Sequence, residues 1–150
     1  MFRRRTIFHR TRHRRRSRST TLTKHYRTNR TLAKAIITHK VHQWNELLGF
    51  RLGRITIRNQ RSRWGSCSAY GNLNFNYKLI FLPERLLDYV IVHELCHLQE
   101  LNHSPAFWSL VADIMPEYPK YIKELRQYER NKTLCDTYLE QYRSIVDIKP

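Results

Sequence analysis

Apolar residues recur at helical spacing from residue 32 to residue 49. They repeat every three or four residues, which is the spacing of one face of an α-helix. The pattern therefore predicts an amphipathic helix that packs on a core, with His39 and His42 off the apolar stripe and exposed. The stripe consists of Ala33, Ile36, Ile37, Val41, Trp44, Leu47 and Leu48.

Strict alternation of apolar and polar residues follows in two short segments, at residues 53–59 and 72–78. A period of two residues is typical of a strand with one buried face. Two such strands, separated by a loop and the turn signal at Gly71, predict a small antiparallel sheet.

Helical patterns return after the second strand. Pro83 begins a helix with a buried run at residues 89–92, and Ser104 with Pro105 begins another. A last helix starts near Tyr121 and is predicted to continue past residue 130. This order of elements indicates an α+β fold, with a small antiparallel sheet packed on helices.

The stretch HELCH, residues 93–97, carries the clearest chemistry in the chain. His93 and His97 are one helical turn apart on the same face, so both rings can reach one metal ion. Glu94 lies beside that face and can accept a proton from water. This spacing predicts a catalytic zinc site with Glu94 as general base.

A catalytic zinc usually has three protein ligands, so a third is needed. His103 follows a predicted helix end at Asn102 and precedes the helix start at Ser104, so its side chain can fold back toward the histidine pair. Asp113 and Glu117 on later helices are the alternatives. The prediction is one zinc ion per chain, held by His93, His97 and His103.

Residues that contact substrate are harder to identify. Asn74 and Asn76 lie on the polar side of the second strand, where asparagine is unusual. They could line a groove in which a substrate adds as a strand, or they could simply face solvent. Arg61 and Arg63 in the preceding loop are further candidates for binding substrate or stabilising an oxyanion.

Charge is concentrated at the start of the chain. The net charge is +16, and residues 1–30 hold twelve of the 28 Lys and Arg residues without any acid. We predict a disordered basic tail there, with the histidines at 9, 13 and 25 solvated. The tail could bind nucleic acid, serve as a targeting signal, or have no separate function.

Other features predict a cytoplasmic location. The sequence has no apolar run long enough for a membrane span and no secretory signal, so no membrane partner is expected. Its three cysteines are scattered, which argues against a disulfide framework and for a reducing compartment.

Four blocks of the sequence carry a family resemblance: RSRWGSC (61–67), NLNFNYKLIFLP (72–83), DYVIVHELCHL (88–98) and NHSPAFW (102–108). Together they resemble the YgjP-like metallopeptidase family of predicted zinc-dependent hydrolases in the zincin group. The last block is also similar to the region that supplies a third histidine in SprT-like zincins. The resemblance implies a minimal zincin-like domain at residues 31–130, ligand roles for His93, His97 and His103, and a base role for Glu94. The apolar spacing beyond this domain predicts a helical extension at 131–150.

The function expected from these features is that of a zinc metallopeptidase, in which zinc-bound water activated by Glu94 attacks a peptide bond. Its partner would be a peptide or protein substrate. One alternative is a metal-dependent nucleoside-triphosphate pyrophosphatase, with Arg61, Arg63 and Lys78 holding phosphates. Another is a nucleic-acid-associated protein that uses the Arg-rich residues 1–30.

Overall fold

The structure is a computed structural model that describes residues 20–130, with side chains from residue 24 onward. The predictions for residues 1–19 and for the extension at 131–150 lie outside the described residues. The predicted α+β class is confirmed. The elements are α1 (Thr20–Leu48), β1 (Ile55–Arg58), β2 (Gly65–Cys67), β3 (Leu73–Asn76), a 3-10 helix (Tyr77–Phe81), α2 (Glu84–Cys96), α3 (Pro105–Ile114) and α4 (Tyr118–Arg130).

Helix α1 begins earlier than its apolar stripe predicts. It starts at Thr20, so the prediction of a disordered tail is wrong for residues 20–30. Tertiary contacts hold these extra turns in place: the Tyr26 hydroxyl donates to the carbonyl of Ile57 at 3.0 Å, and the ring of His25 lies 5.4 Å from that of Phe81. His25 is therefore half-buried, not solvated.

The core face of α1 agrees with the predicted stripe along most of its length. Ala33, Ile37 and Val41 are completely buried, and His39 and His42 are exposed as predicted. Leu47, which the pattern placed in the core, is 78% exposed in the last turn of the helix.

The sheet has the strand order β1-β3-β2, and its predicted direction is partly wrong. β1 pairs with β3 in parallel, and only β2 pairs with β3 antiparallel. The reason is that β2, in a segment expected to be a loop, forms a hairpin with β3 and reverses the chain once more. Gly71 allows the tight hairpin turn with a φ of 74°, and its N–H donates to Ser68 at 2.8 Å.

The two faces of the sheet have different surroundings. Ile57 and Phe75 face inward and are buried against the helices. On the opposite face, the Arg58 side chain donates to the Asn74 amide oxygen at 2.9 Å. Helix α2 is the centre of the fold, because it packs against α1, β2, α3 and α4. In residues 20–130, no helix combines the length and apolar character that crossing a membrane requires.

Candidate metal centre

The ends of α2 and α3 bring three histidines together. α2 supplies His93 and is capped by His97 in a helical conformation, after which the chain turns. Ser104 caps α3, because its hydroxyl accepts from the N–H of Phe107 at 3.3 Å, and Pro105 occupies the first turn. The short connection between the helices therefore directs His103 back over α2.

The ligand atoms of His93, His97 and His103 all lie within 4.8 Å of one another. The Nε2 atoms of His93 and His103 are 3.0 Å apart. Tetrahedral zinc with bonds of about 2.05 Å would separate its ligand atoms by roughly 3.4 Å. The three rings therefore need only small adjustments to hold one zinc ion.

Polar contacts orient two of these rings. The Nδ1 of His97 lies 2.9 Å from the carbonyl oxygen of Glu100, to which it can donate a hydrogen bond. The Nδ1 of His93 lies 3.4 Å from the Tyr89 hydroxyl. Such contacts commonly fix the tautomer of a metal-binding histidine and leave the Nε2 lone pair for the metal.

Aromatic side chains form the wall around the histidines. The ring of Phe107 stacks on His97 with centroids 4.4 Å apart, and Trp108 stacks on His103 at 5.6 Å. This packing restricts the orientation of the imidazoles and keeps water from one side of the group.

The surroundings of His93 and His97 favour the neutral imidazole that metal binding requires. Burial, together with the neighbouring His97 and His103, lowers the pKa of His93 to about 3. Burial also lowers the pKa of His97. Since a metal binds neutral imidazole, the donor set fits a zinc ion.

Glu94 lies next to the histidines and has an unusual environment. Its side chain is buried, and its Oε2 has no hydrogen-bond partner. Burial raises the pKa of Glu94 to about 8, an effect that the positive charge of Arg63 opposes. An unpaired buried carboxylate is costly, which points to a chemical role for this group.

Strand β2 passes directly against the Glu94 carboxylate at Gly65. A Cβ atom at Gly65 would lie 2.6 Å from Oε1 and 2.8 Å from Cδ of Glu94. These distances are too short for any non-bonded contact. Gly65 therefore lets the strand backbone support the carboxylate from one side.

Under the general-base role predicted for Glu94, replacing Gly65 with Ala should lower kcat for hydrolysis by about 10–100-fold, because the added methyl group displaces the carboxylate. Zinc affinity and KM should change little. Steady-state kinetics, zinc titration and urea unfolding of the same preparation would measure these quantities.

The matched control is Ser66→Ala, on the same strand but facing the other side of the sheet, and it should retain full activity. A fall in kcat accompanied by equal loss of zinc or of folding would instead make Gly65 purely structural.

The contacts of Asn74 and Asn76 bear on the two interpretations that the sequence left open, a substrate groove and a polar sheet face. Asn74 pairs with Ser66, so its side chain lies on the face opposite to Gly65 and Glu94. Asn76 is buried, and its amide donates to the carbonyls of Gln60 and Arg63 at 2.9 and 3.2 Å. Both asparagines therefore have structural surroundings.

The other candidates from the sequence are two arginines and two acids. Arg61 and Arg63 are exposed, and Arg63 is near enough to Glu94 to influence its pKa. Asp113 is exposed, and Glu117 pairs with Lys120. In the described part of the chain, the histidine group is the only set of three possible metal ligands, and it includes neither acid.

Two supporting residues were missed in the sequence, Gly65 and Tyr89. A glycine inside a strand often marks a close approach, but β2 was not expected to be a strand. Tyr89 precedes His93 by four residues and so lies one turn before it on the same helix face, a signal that the sequence does contain.

Comparison with known proteins agrees with this geometry. The chain resembles the crystal structure of the metallopeptidase zymogen abylysin of Pyrococcus abyssi, with 25% identity, a TM-score of 0.54, and 64% of this chain and 95% of that chain covered. It shares its fold with the metallopeptidase zymogen jannalysin of Methanocaldococcus jannaschii, with 23% identity, a TM-score of 0.54, and 61% and 94% coverage. No curated protein matches the sequence significantly.

The family model described as YgjP-like, metallopeptidase domain, matches residues 3–128. This match is longer than the resemblance seen in residues 32–130, because it also includes the first half of α1 and residues before it. The family predicted from the four sequence blocks is confirmed. The chain belongs to the YgjP-like metallopeptidase domain family.

Proposed function

We propose that the protein is a zinc-dependent peptidase in which His93, His97 and His103 hold the ion and Glu94 is the general base. One observation carries this proposal: three imidazoles converge beside a buried carboxylate that has an oxygen without a partner. A closed structural zinc site would normally have four protein ligands, whereas three ligands leave a position for chemistry.

When bound, the zinc ion would polarise the substrate carbonyl and make water more acidic. Glu94 would accept a proton from the attacking water and pass it to the leaving amine. Its raised pKa, about 8, means that the protein around it favours the protonated form, and a nearby cation would favour the ionised form that a base requires. We assign to Arg63, whose positive charge acts on Glu94, the stabilisation of negative charge that develops on the substrate.

Strand β2 is a suitable place for an extended substrate. It is an edge strand of the sheet, and Gly65 in this strand contacts Glu94. A peptide that pairs with the free edge of β2 would gain main-chain hydrogen bonds and pass close to the carboxylate. This arrangement favours an unfolded segment of a protein over a compact folded one.

An activity screen with two substrate classes tests the proposal. The full-length protein is stripped of metal, reloaded with zinc, and offered an unfolded protein such as casein or a nucleoside triphosphate. We expect casein cleavage that requires zinc. Release of pyrophosphate without peptide cleavage would overturn the peptidase proposal and favour phosphate binding by Arg61, Arg63 and Lys78.

A further inference from the structure

Positive charge is concentrated in the first half of the chain well beyond its tail. Residues 1–83 contain 20 of the 28 Lys and Arg residues and a single acid, Glu46, which gives this part a net charge of +19. Residues 84–150, which include the HELCH stretch, carry a net charge of −3. The boundary between the two parts falls at the start of α2.

Four of these cations form a stripe on α1. Lys24, Arg27, Arg30 and Lys34 are exposed, and they follow one another at intervals of three or four residues. This spacing places them on one side of the helix, along about 15 Å at 1.5 Å per residue.

Three further exposed arginines belong to β1 and its ends. The hydrogen bond from Tyr26 to Ile57 joins the first turns of α1 to this strand. Arg54 precedes β1, Arg58 is its last residue, and Arg61 follows it in the next loop. We call the exposed cations of these two neighbouring elements the basic face; they are Lys24, Arg27, Arg30, Lys34, Arg54, Arg58 and Arg61.

The charges of the basic face are not neutralised by neighbouring acids. Within residues 24–130, none of its seven side chains has an acidic partner within 4.0 Å. Three cations elsewhere in the fold do have such partners, in the pairs of Lys40 with Asp88, Arg85 with Glu124 and Lys120 with Glu117. The positive potential of the basic face is therefore available to a ligand.

We propose that the basic face binds the phosphate backbone of nucleic acid. Five of its seven residues are arginines, whose planar guanidinium groups suit phosphate oxygens. Seven exposed cations without an acidic partner among residues 24–130 match a regular polyanion, with about one charge per 1.7 Å of duplex axis, better than a short acidic peptide. The sequence before α1 is basic as well, with nine arginines and no acid in residues 1–19.

Fluorescence anisotropy of the full chain with labelled 20-nucleotide probes tests this proposal. Duplex DNA, single-stranded DNA and single-stranded RNA are titrated separately between 50 and 200 mM salt. We expect steeply salt-dependent binding that tolerates changes of sequence, because contacts with phosphates carry no sequence information. The three probes then distinguish the polymers that share this backbone.

A triple variant and its control make the test specific for the basic face. Lys24→Gln, Arg27→Gln and Lys34→Gln together should weaken binding at least 10-fold and reduce the salt slope by about 2–3, since each lost phosphate contact contributes roughly 0.9. The control removes the same charge from α4, with Lys120→Gln, Lys123→Gln and Arg130→Gln, and should change binding by less than about 2-fold. Circular dichroism checks that both fold.

Equal weakening by the two triple variants would mean that only net charge matters and would overturn the proposal. Binding to polyglutamate but to none of the nucleic acids would overturn it as well. If the α1 variant does not fold, the pair Arg54→Gln and Arg61→Gln replaces it. Glu94→Gln should bind nucleic acid like the unchanged protein, so failure of this proposal is distinct from failure of the peptidase proposal.

Discussion

Glu94→Gln should lower the rate of peptide hydrolysis by about 10²–10⁴-fold while the protein still binds zinc. The amide has nearly the same shape as the carboxylate, but it cannot accept a proton from water. None of the three histidines donates to the Glu94 carboxylate, so their positions should not depend on its charge. Peptide-release assays and metal analysis of the same sample measure both quantities.

A matched control separates loss of the base from loss of negative charge. Glu46→Gln removes one exposed carboxylate from α1, far along the chain from the histidines, and should leave the hydrolysis rate unchanged. If Glu94→Gln retained more than about a tenth of the rate, another group would have to move the proton, and the role of Glu94 would be positional.

The histidines and Glu94 could be identified because their arrangement is local. His93 and His97 are one helical turn apart, and that spacing alone fixes their relation. His103 could be found because helix-ending and helix-starting signals surround it. Gly65 could not be connected with Glu94, since 29 positions of sequence separate them and their contact exists only after β2 docks on α2.

The relative direction of β1 and β3 could not be predicted from the sequence. Alternation along β1 and β3 correctly predicts that Ile57, Leu73 and Phe75 are buried, although Asn76 on the polar side is buried as well. A period of two is the same for parallel and antiparallel pairing. The deciding element is β2, whose sequence Gly-Ser-Cys is short and has low strand propensity. Its edge position and backbone pairing with β3 define it, and neither produces a hydrophobic pattern.

The early start of α1 has a similar explanation. Residues 20–30 have almost no apolar periodicity, and their charge is typical of a disordered segment. The helix nevertheless forms because Tyr26 and His25 find partners in β1 and the 3-10 helix. Tertiary contacts thus override a weak local preference. As a result, the cations of the basic face within residues 20–30, which were predicted to belong to a disordered tail, lie on a helix.

His103→Ala should weaken zinc binding by more than about 100-fold. Loss of a residue that only supports a metal ligand typically weakens binding by roughly 10–100-fold, and His103 is itself a predicted ligand. His103 contributes one of three converging ligand atoms, and its Nε2 lies 3.0 Å from that of His93. With only two histidines left, the ion would depend on water for its other ligands, and hydrolysis should fall with zinc occupancy. Competition between the protein and a chelating dye measures the affinity directly.

His42→Ala is the control for this experiment, because His42 is also exposed but lies on α1. It should bind zinc as tightly as the unchanged protein. His103 is itself exposed at the start of α3, so its removal should leave the fold intact, and a lower affinity then reports on the site itself. If His103→Ala kept its full zinc affinity, another group would have to complete the site. Combining this change with Asp113→Asn or Glu117→Gln would show which acid takes that place.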